Sequence, residues 1–235
     1  MRSNLTEIVF ILDRSGSMGS LEKDTIGGFN SFIERQNQEE GDAILTTVLF
    51  DDKYEILHDG VSIKDVKQLT NKEYYARGMT ALLDAMGKTI ITVKNRLNNT
   101  DEKYRPSKVI FVITTDGQEN CSKEFNRDQI KTLVEQQTKE NDWQFLFLGA
   151  NIDAISTAQS FGIDGKFASN YTASAVGTDS LYSTLSCSVS SYRSKGVIED
   201  DWKDNLKDDL EVSMIKTTHS DGNTSTITPK GIRIG

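Results

Sequence analysis

Short, continuous apolar runs alternate along this chain with longer stretches of helical period, and this alternation narrows the fold more than any other feature. Residues 5–12 (LTEIVFIL) end in an unbroken apolar run, and residues 43–50 (AILTTVLF), 108–113 (KVIFVI) and 143–148 (WQFLFL) are of the same kind. Runs this short and this apolar read as strands buried on both faces. Between them, apolar residues recur at helical spacing. Ile26, Phe29, Phe32 and Ile33 form one stripe; Leu82, Leu83, Met86, Ile90, Val93 and Leu97 form a longer one; Ile130, Leu133 and Val134 form a third. Ile152, Ile155 and Ala158 predict a short helix, residues 165–168 a last short strand, and Leu181, Leu185, Val189 and Tyr192 a final helix. Asp51-Asp52 turns the 43–50 strand back into 53–58 (KYEILH), an antiparallel edge. The pattern predicts an α/β, Rossmann-like, doubly wound sheet, mostly parallel with one antiparallel edge strand and with helices on both faces.

At 235 residues the chain suffices for one large domain with its own core, assigned here to residues 1–195. Residues 196–235 differ in character. The stretch 199–211 carries seven acidic and two basic residues and reads as a solvated helix, and 220–228 is a polar run of Ser, Thr, Gly and Asn. A net charge of −8 argues against nucleic acid as a partner, because phosphate binding needs a basic footprint. No apolar stretch approaches the ~20 residues that span a bilayer, so no membrane role is expected. Glu7 interrupts the first apolar run and no small-residue cleavage site follows it, so the N-terminus reads as a strand and the cytoplasm as the location. Two cysteines, Cys121 and Cys187, supply neither a disulfide framework nor a thiolate metal site.

The chemistry gathers at strand ends. Asp13 follows directly on the first buried strand, and Asp116 directly on the strand that starts at Lys108. In open parallel sheets, ligands sit beyond the carboxyl ends of strands where the winding reverses. Right-handed crossovers make these two strands neighbours at that reversal, so the two aspartates face one crevice. Ser15 and Ser17 share the loop Asp13-Arg14-Ser15-Gly16-Ser17, whose alternate spacing aims three side chains inward when Gly16 permits a tight turn. Gly117 has the same role after Asp116, and Thr80 stands just before the long helix. Two carboxylates and three hydroxyls are hard oxygen ligands. They suit Mg²⁺, with Mn²⁺ or Ca²⁺ as the other ions such donors take, and not zinc. Hydroxyl ligands leave the ion's charge poorly offset, so an open position would attract a carboxylate from outside. Taken singly, Ser17 and Thr80 also stand where helix N-caps stand, and the aspartates where turn residues stand.

In these residues the chain resembles a von Willebrand factor type A domain with its metal-ion-dependent adhesion site. Asp13-Arg14-Ser15-Gly16-Ser17 matches the D-x-S-x-S element, Thr80 in GMTALLDAM the separate threonine, and Asp116 in TTDG the separate aspartate. The resemblance covers about residues 5 to 192 and is to the intracellular type. It implies a metal ion on Asp13, Ser15, Ser17, Thr80 and Asp116, and a protein partner that supplies an Asp or Glu. The competing reading is a Mg²⁺-dependent phosphohydrolase with Asp13 as nucleophile. A haloacid dehalogenase-like enzyme needs a second Asp two residues on as its acid/base, and Ser15 occupies that position. No phosphate-cradling G-x-x-x-x-G-K or G-x-G-x-x-G is present, and Gly27-Gly28 falls inside a helical pattern, where it permits close packing or weakens the helix. His58 and His219 have no evident Ser or Cys partner for a hydrolase triad. The chain therefore reads as a binding module and not an enzyme.

Overall fold

The computed structural model describes residues 2–206. The polar run 220–228, His219 and the end of the acidic stretch lie outside the described residues. Six strands form one sheet: β1 (Arg2–Asp13), β2 (Asp42–Phe50), β3 (Tyr54–Ser62), β4 (Pro106–Thr115), β5 (Gln144–Gly149) and β6 (Ala168–Asn170). Their order is β3-β2-β1-β4-β5-β6, with β3 antiparallel to β2 and every other pair parallel. The chain winds outward from β1 in one direction and from β4 in the other. The reversal falls between β1 and β4, as the strand pattern predicts.

Alternate residues of the central strands feed two cores. Phe10, Leu12, Val112 and Leu148 pack beneath α1 (Glu22–Gln38) and α5 (Ala175–Lys195). Val9, Ile11, Phe111, Ile113 and Phe147 pack beneath α2 (Leu82–Asn98), α3 (Arg127–Asn141) and α4 (Ala154–Ser160). This is why the strands read as unbroken apolar runs: both faces are covered. The predicted stripes Phe29, Phe32, Ile33 and Leu82, Met86, Ile90, Val93 are buried.

Three local expectations differ. The edge strand, expected over residues 53–58, continues past His58 through Asp59-Gly60 to Ser62. Gly60 takes φ +64° where the β2–β3 register shifts, so the positive φ is absorbed within the paired ribbon. The last strand begins at Ala168 because Asp164 accepts a hydrogen bond from the Lys166 N–H and folds Gly165–Phe167 into a 3₁₀ turn. α4 buries Ala154 and Ala158 and leaves Ile155 exposed, while Ile152 packs just ahead of the helix. Beyond α5 the chain folds back, and Trp202 and Leu206 sit in the α1–α5 core. No helix among the described residues is long and apolar enough to cross a membrane.

Candidate metal centre

Leu12 of β1 lies opposite Thr114 of β4, so both strands deliver their last residues to one end of the sheet. Asp13 is fully buried there. Its Oδ1 accepts the Ser15 N–H at 2.7 Å and its Oδ2 the Thr115 hydroxyl at 2.5 Å. The Tyr74 hydroxyl donates to the Asp13 carbonyl at 2.5 Å from below. The Ser15 and Ser17 hydroxyls stand 3.1 Å apart, and Ser17 donates to Asp116 Oδ1 at 2.5 Å. Thr80 enters from a third loop. A Cβ placed on Gly117 would stand 3.4 Å from both Ser17 Oγ and Thr80 Oγ1, so that glycine borders the two hydroxyls and keeps the space before them open. All five predicted residues are thus gathered at one end of the sheet. Ser17 is exposed and Asp13, Ser15, Thr80 and Asp116 are buried, so the site opens to solvent on the Ser17 side.

Electrostatics follow from burial. Burial pushes the Asp13 carboxyl up to about 6, against the Thr115 and Ser15 hydrogen bonds that favour its charged form; nearby Asp116 adds to the rise. Burial also raises Asp116, opposed by the Ser17 hydroxyl. Two adjacent carboxyls whose charged forms are penalised are a setting that a bound cation would relieve. Among the described residues no three His, Cys, Asp or Glu side chains converge on one point. A cation here would depend on the hydroxyls to complete its shell. The donor set is all oxygen, which fits a hard divalent ion.

Neither Ser17 nor Thr80 is spent as a helix cap. The N-cap of α2 is Ala81, with no side-chain cap bond of its own, and Ser15 precedes the 3₁₀ turn Gly16–Leu21 without capping it. The first amides of α2 are served from elsewhere: Glu119 Oε2 accepts from Leu83 N at 3.0 Å and Ser122 Oγ from Asp84 N at 3.1 Å. Asn120 and Thr80 are joined reciprocally, Thr80 N to Asn120 Oδ1 at 2.9 Å and Asn120 N to Thr80 O at 3.1 Å. Sequence reasoning missed Thr115, Tyr74, Glu119 and Asn120. Only Thr115 carried a local signal, as the residue next to Asp116 in TTDG.

No family model matches the sequence, and no curated protein does. Solved structures do. Proximal thread matrix protein 1 from the mussel byssus aligns over 80% of this chain and 46% of that one, at 16% identity and a TM-score of 0.59. A second structure of that protein, with a zinc-occupied MIDAS motif, gives 16% identity and a TM-score of 0.56. The von Willebrand factor domain of the type V pili tip protein Mfa5 from Porphyromonas gingivalis aligns over 85% of this chain and 100% of that one, at 11% identity and a TM-score of 0.57. The chain spans about half the length of the mussel structures it matches. At these identities the likeness is one of fold: the chain has the fold of a von Willebrand factor type A domain.

Proposed function

We propose that this chain is a divalent-metal-dependent protein-binding module, with Asp13, Ser15, Ser17, Thr80 and Asp116 holding a Mg²⁺-type ion onto which a partner docks an Asp or Glu side chain. The observation that carries the reading is the convergence of three loops, whose hydroxyls are unspent on helix caps, upon two buried carboxyls. When bound, the ion supplies a positive charge that the chain's two carboxylates and neutral hydroxyls leave open to a further anionic ligand. The chain's own contribution is to orient the hydroxyls and to present them on the exposed Ser17 side. The zinc in the mussel protein's motif supports the reading of a divalent metal at a site of this kind.

The phosphohydrolase reading is weaker. Ser15 and not a carboxylic acid stands two residues after Asp13, so a nucleophilic Asp13 would lack its acid/base partner. The test is calorimetric titration of Mg²⁺, Mn²⁺ and Zn²⁺ into the wild type and into a folded Asp13→Ala, Asp116→Ala double variant. One ion per wild-type chain and none in the variant is the expected result, with partner capture that EDTA abolishes. Equal heats in both proteins, together with capture indifferent to EDTA, would overturn the reading.

A further inference from the structure

Beneath the site lies a charged cluster that the five oxygen donors do not explain. Arg14, between Asp13 and Ser15, is 1% exposed. Its Nε donates to Asp51 Oδ2 at 2.9 Å and its Nη2 to Glu55 at 2.8 Å. Arg77, three residues ahead of Thr80, places its Nε on the same Asp51 oxygen at 2.7 Å and an Nη1 donor on the Tyr75 hydroxyl at 2.6 Å. Asp51 is fully buried and follows directly on β2.

The backbone repeats this connection. Arg77 N donates to Arg14 O at 2.8 Å, Gly16 N to Gly78 O at 3.2 Å, and Ala81 N to Asp51 O at 2.9 Å. Gly78 takes φ +68°, and a Cβ there would meet Asp52 Oδ1 at 2.0 Å, so the loop can lie this close only with glycine. The loop carrying Thr80 is therefore fastened to the loop carrying Ser15 and Ser17 through one carboxylate. We infer that Arg77 and Arg14, pinned on Asp51, are positioning residues that set the Thr80 hydroxyl against those of Ser15 and Ser17. The inference rests on the metal-site reading above. Neutral hydroxyls hold an ion only at correct distance, and Mg²⁺-type ions tolerate little error. Partners one shell out from metal ligands commonly carry 10–100-fold in affinity.

Charge gives the test its sign. Removing a cation near a cation site should tighten metal binding if the cluster acts by its field alone. Positioning predicts the opposite. Arg77→Ala is the variant of choice, because Arg77 is a third exposed and its loss leaves Asp51 paired with Arg14. Mn²⁺ is titrated calorimetrically into wild type, Arg77→Ala and Arg77→Lys, each with a thermal melt in EDTA. The expected result is Mn²⁺ affinity about 10–100-fold weaker in Arg77→Ala and largely recovered in Arg77→Lys. Unchanged or tighter Mn²⁺ binding in Arg77→Ala overturns the inference, whether or not the EDTA melt falls. A wild type that binds no ion defeats the metal reading itself, an outcome distinct from either.

Discussion

At the scale of single residues, the site depends on which side chains are kept free. Thr115 shows how the buried aspartate is kept in place. Its hydroxyl donates to Asp13 Oδ2 and accepts from the Gly117 amide at 3.3 Å, so one side chain links the two aspartate loops. Thr115→Val keeps the shape and removes the donor. A buried acceptor left unsatisfied costs about 1–3 kcal/mol, and urea unfolding in EDTA should register that loss. Unchanged stability would show that Asp13 finds another donor and that Thr115 is merely a strand residue. The convergence of the five candidate residues was legible because they fall at strand ends and in the loops that lead into helices, at spacings that the winding of the sheet brings together. Asp51, Asn120 and Glu119 were not legible. Each acts on a loop more than 25 residues distant in sequence (26 for Asp51 and Arg77), across a contact with no local pattern.

At the scale of elements, apolar periodicity was enough wherever a strand or helix is buried along its length. It was insufficient where a few residues decide. β6 has three residues and no room for a pattern, and α4 buries only alanines, so Ile155 misled as to its inner face. The glycine pair in α1 is a case the sequence left open and packing resolves. A Cβ on Gly28 would come within 2.1 Å of the Tyr182 ring of α5, whereas one on Gly27 meets nothing within 4 Å. The two glycines should therefore respond in opposite directions to the same substitution. Gly28→Ala forces α1 and α5 apart and should cost about 1–3 kcal/mol. Gly27→Ala replaces an exposed helical glycine and should stabilise by about 0.5–1 kcal/mol. Chemical denaturation of the two variants checks the pair, and the idea fails if Gly28→Ala is neutral or if both shift alike.

At the scale of the whole molecule, the candidate metal centre and the β6 edge of the sheet are built by different means. The carboxyl ends of β1 and β4 carry polar loops stapled by hydrogen bonds, while the β6 edge is closed by the segment after α5. Trp202 is 9% exposed in the α1–α5 core, and its Nε1 donates to Lys166 O at 2.9 Å, just ahead of β6. Lys203 adds donors to the Gly165 and Ala168 carbonyls at 3.1 and 2.8 Å. β6 stands at the edge of the sheet, two strands from β4 and three from β1, so this lock and the candidate metal centre should be separable. Trp202→Ala removes a large buried ring and leaves a cavity, a change that costs about 3–5 kcal/mol in a core of ordinary rigidity. The expected outcome is a variant much less stable to urea in EDTA whose Mn²⁺ affinity, measured at low temperature where it is folded, equals that of the wild type. Wild-type stability would mean that the Trp202 ring contributes nothing to the fold. A parallel loss of Mn²⁺ affinity would mean that the sheet transmits strain from its β6 edge to the candidate metal centre, since close-packed cores relax poorly around a void.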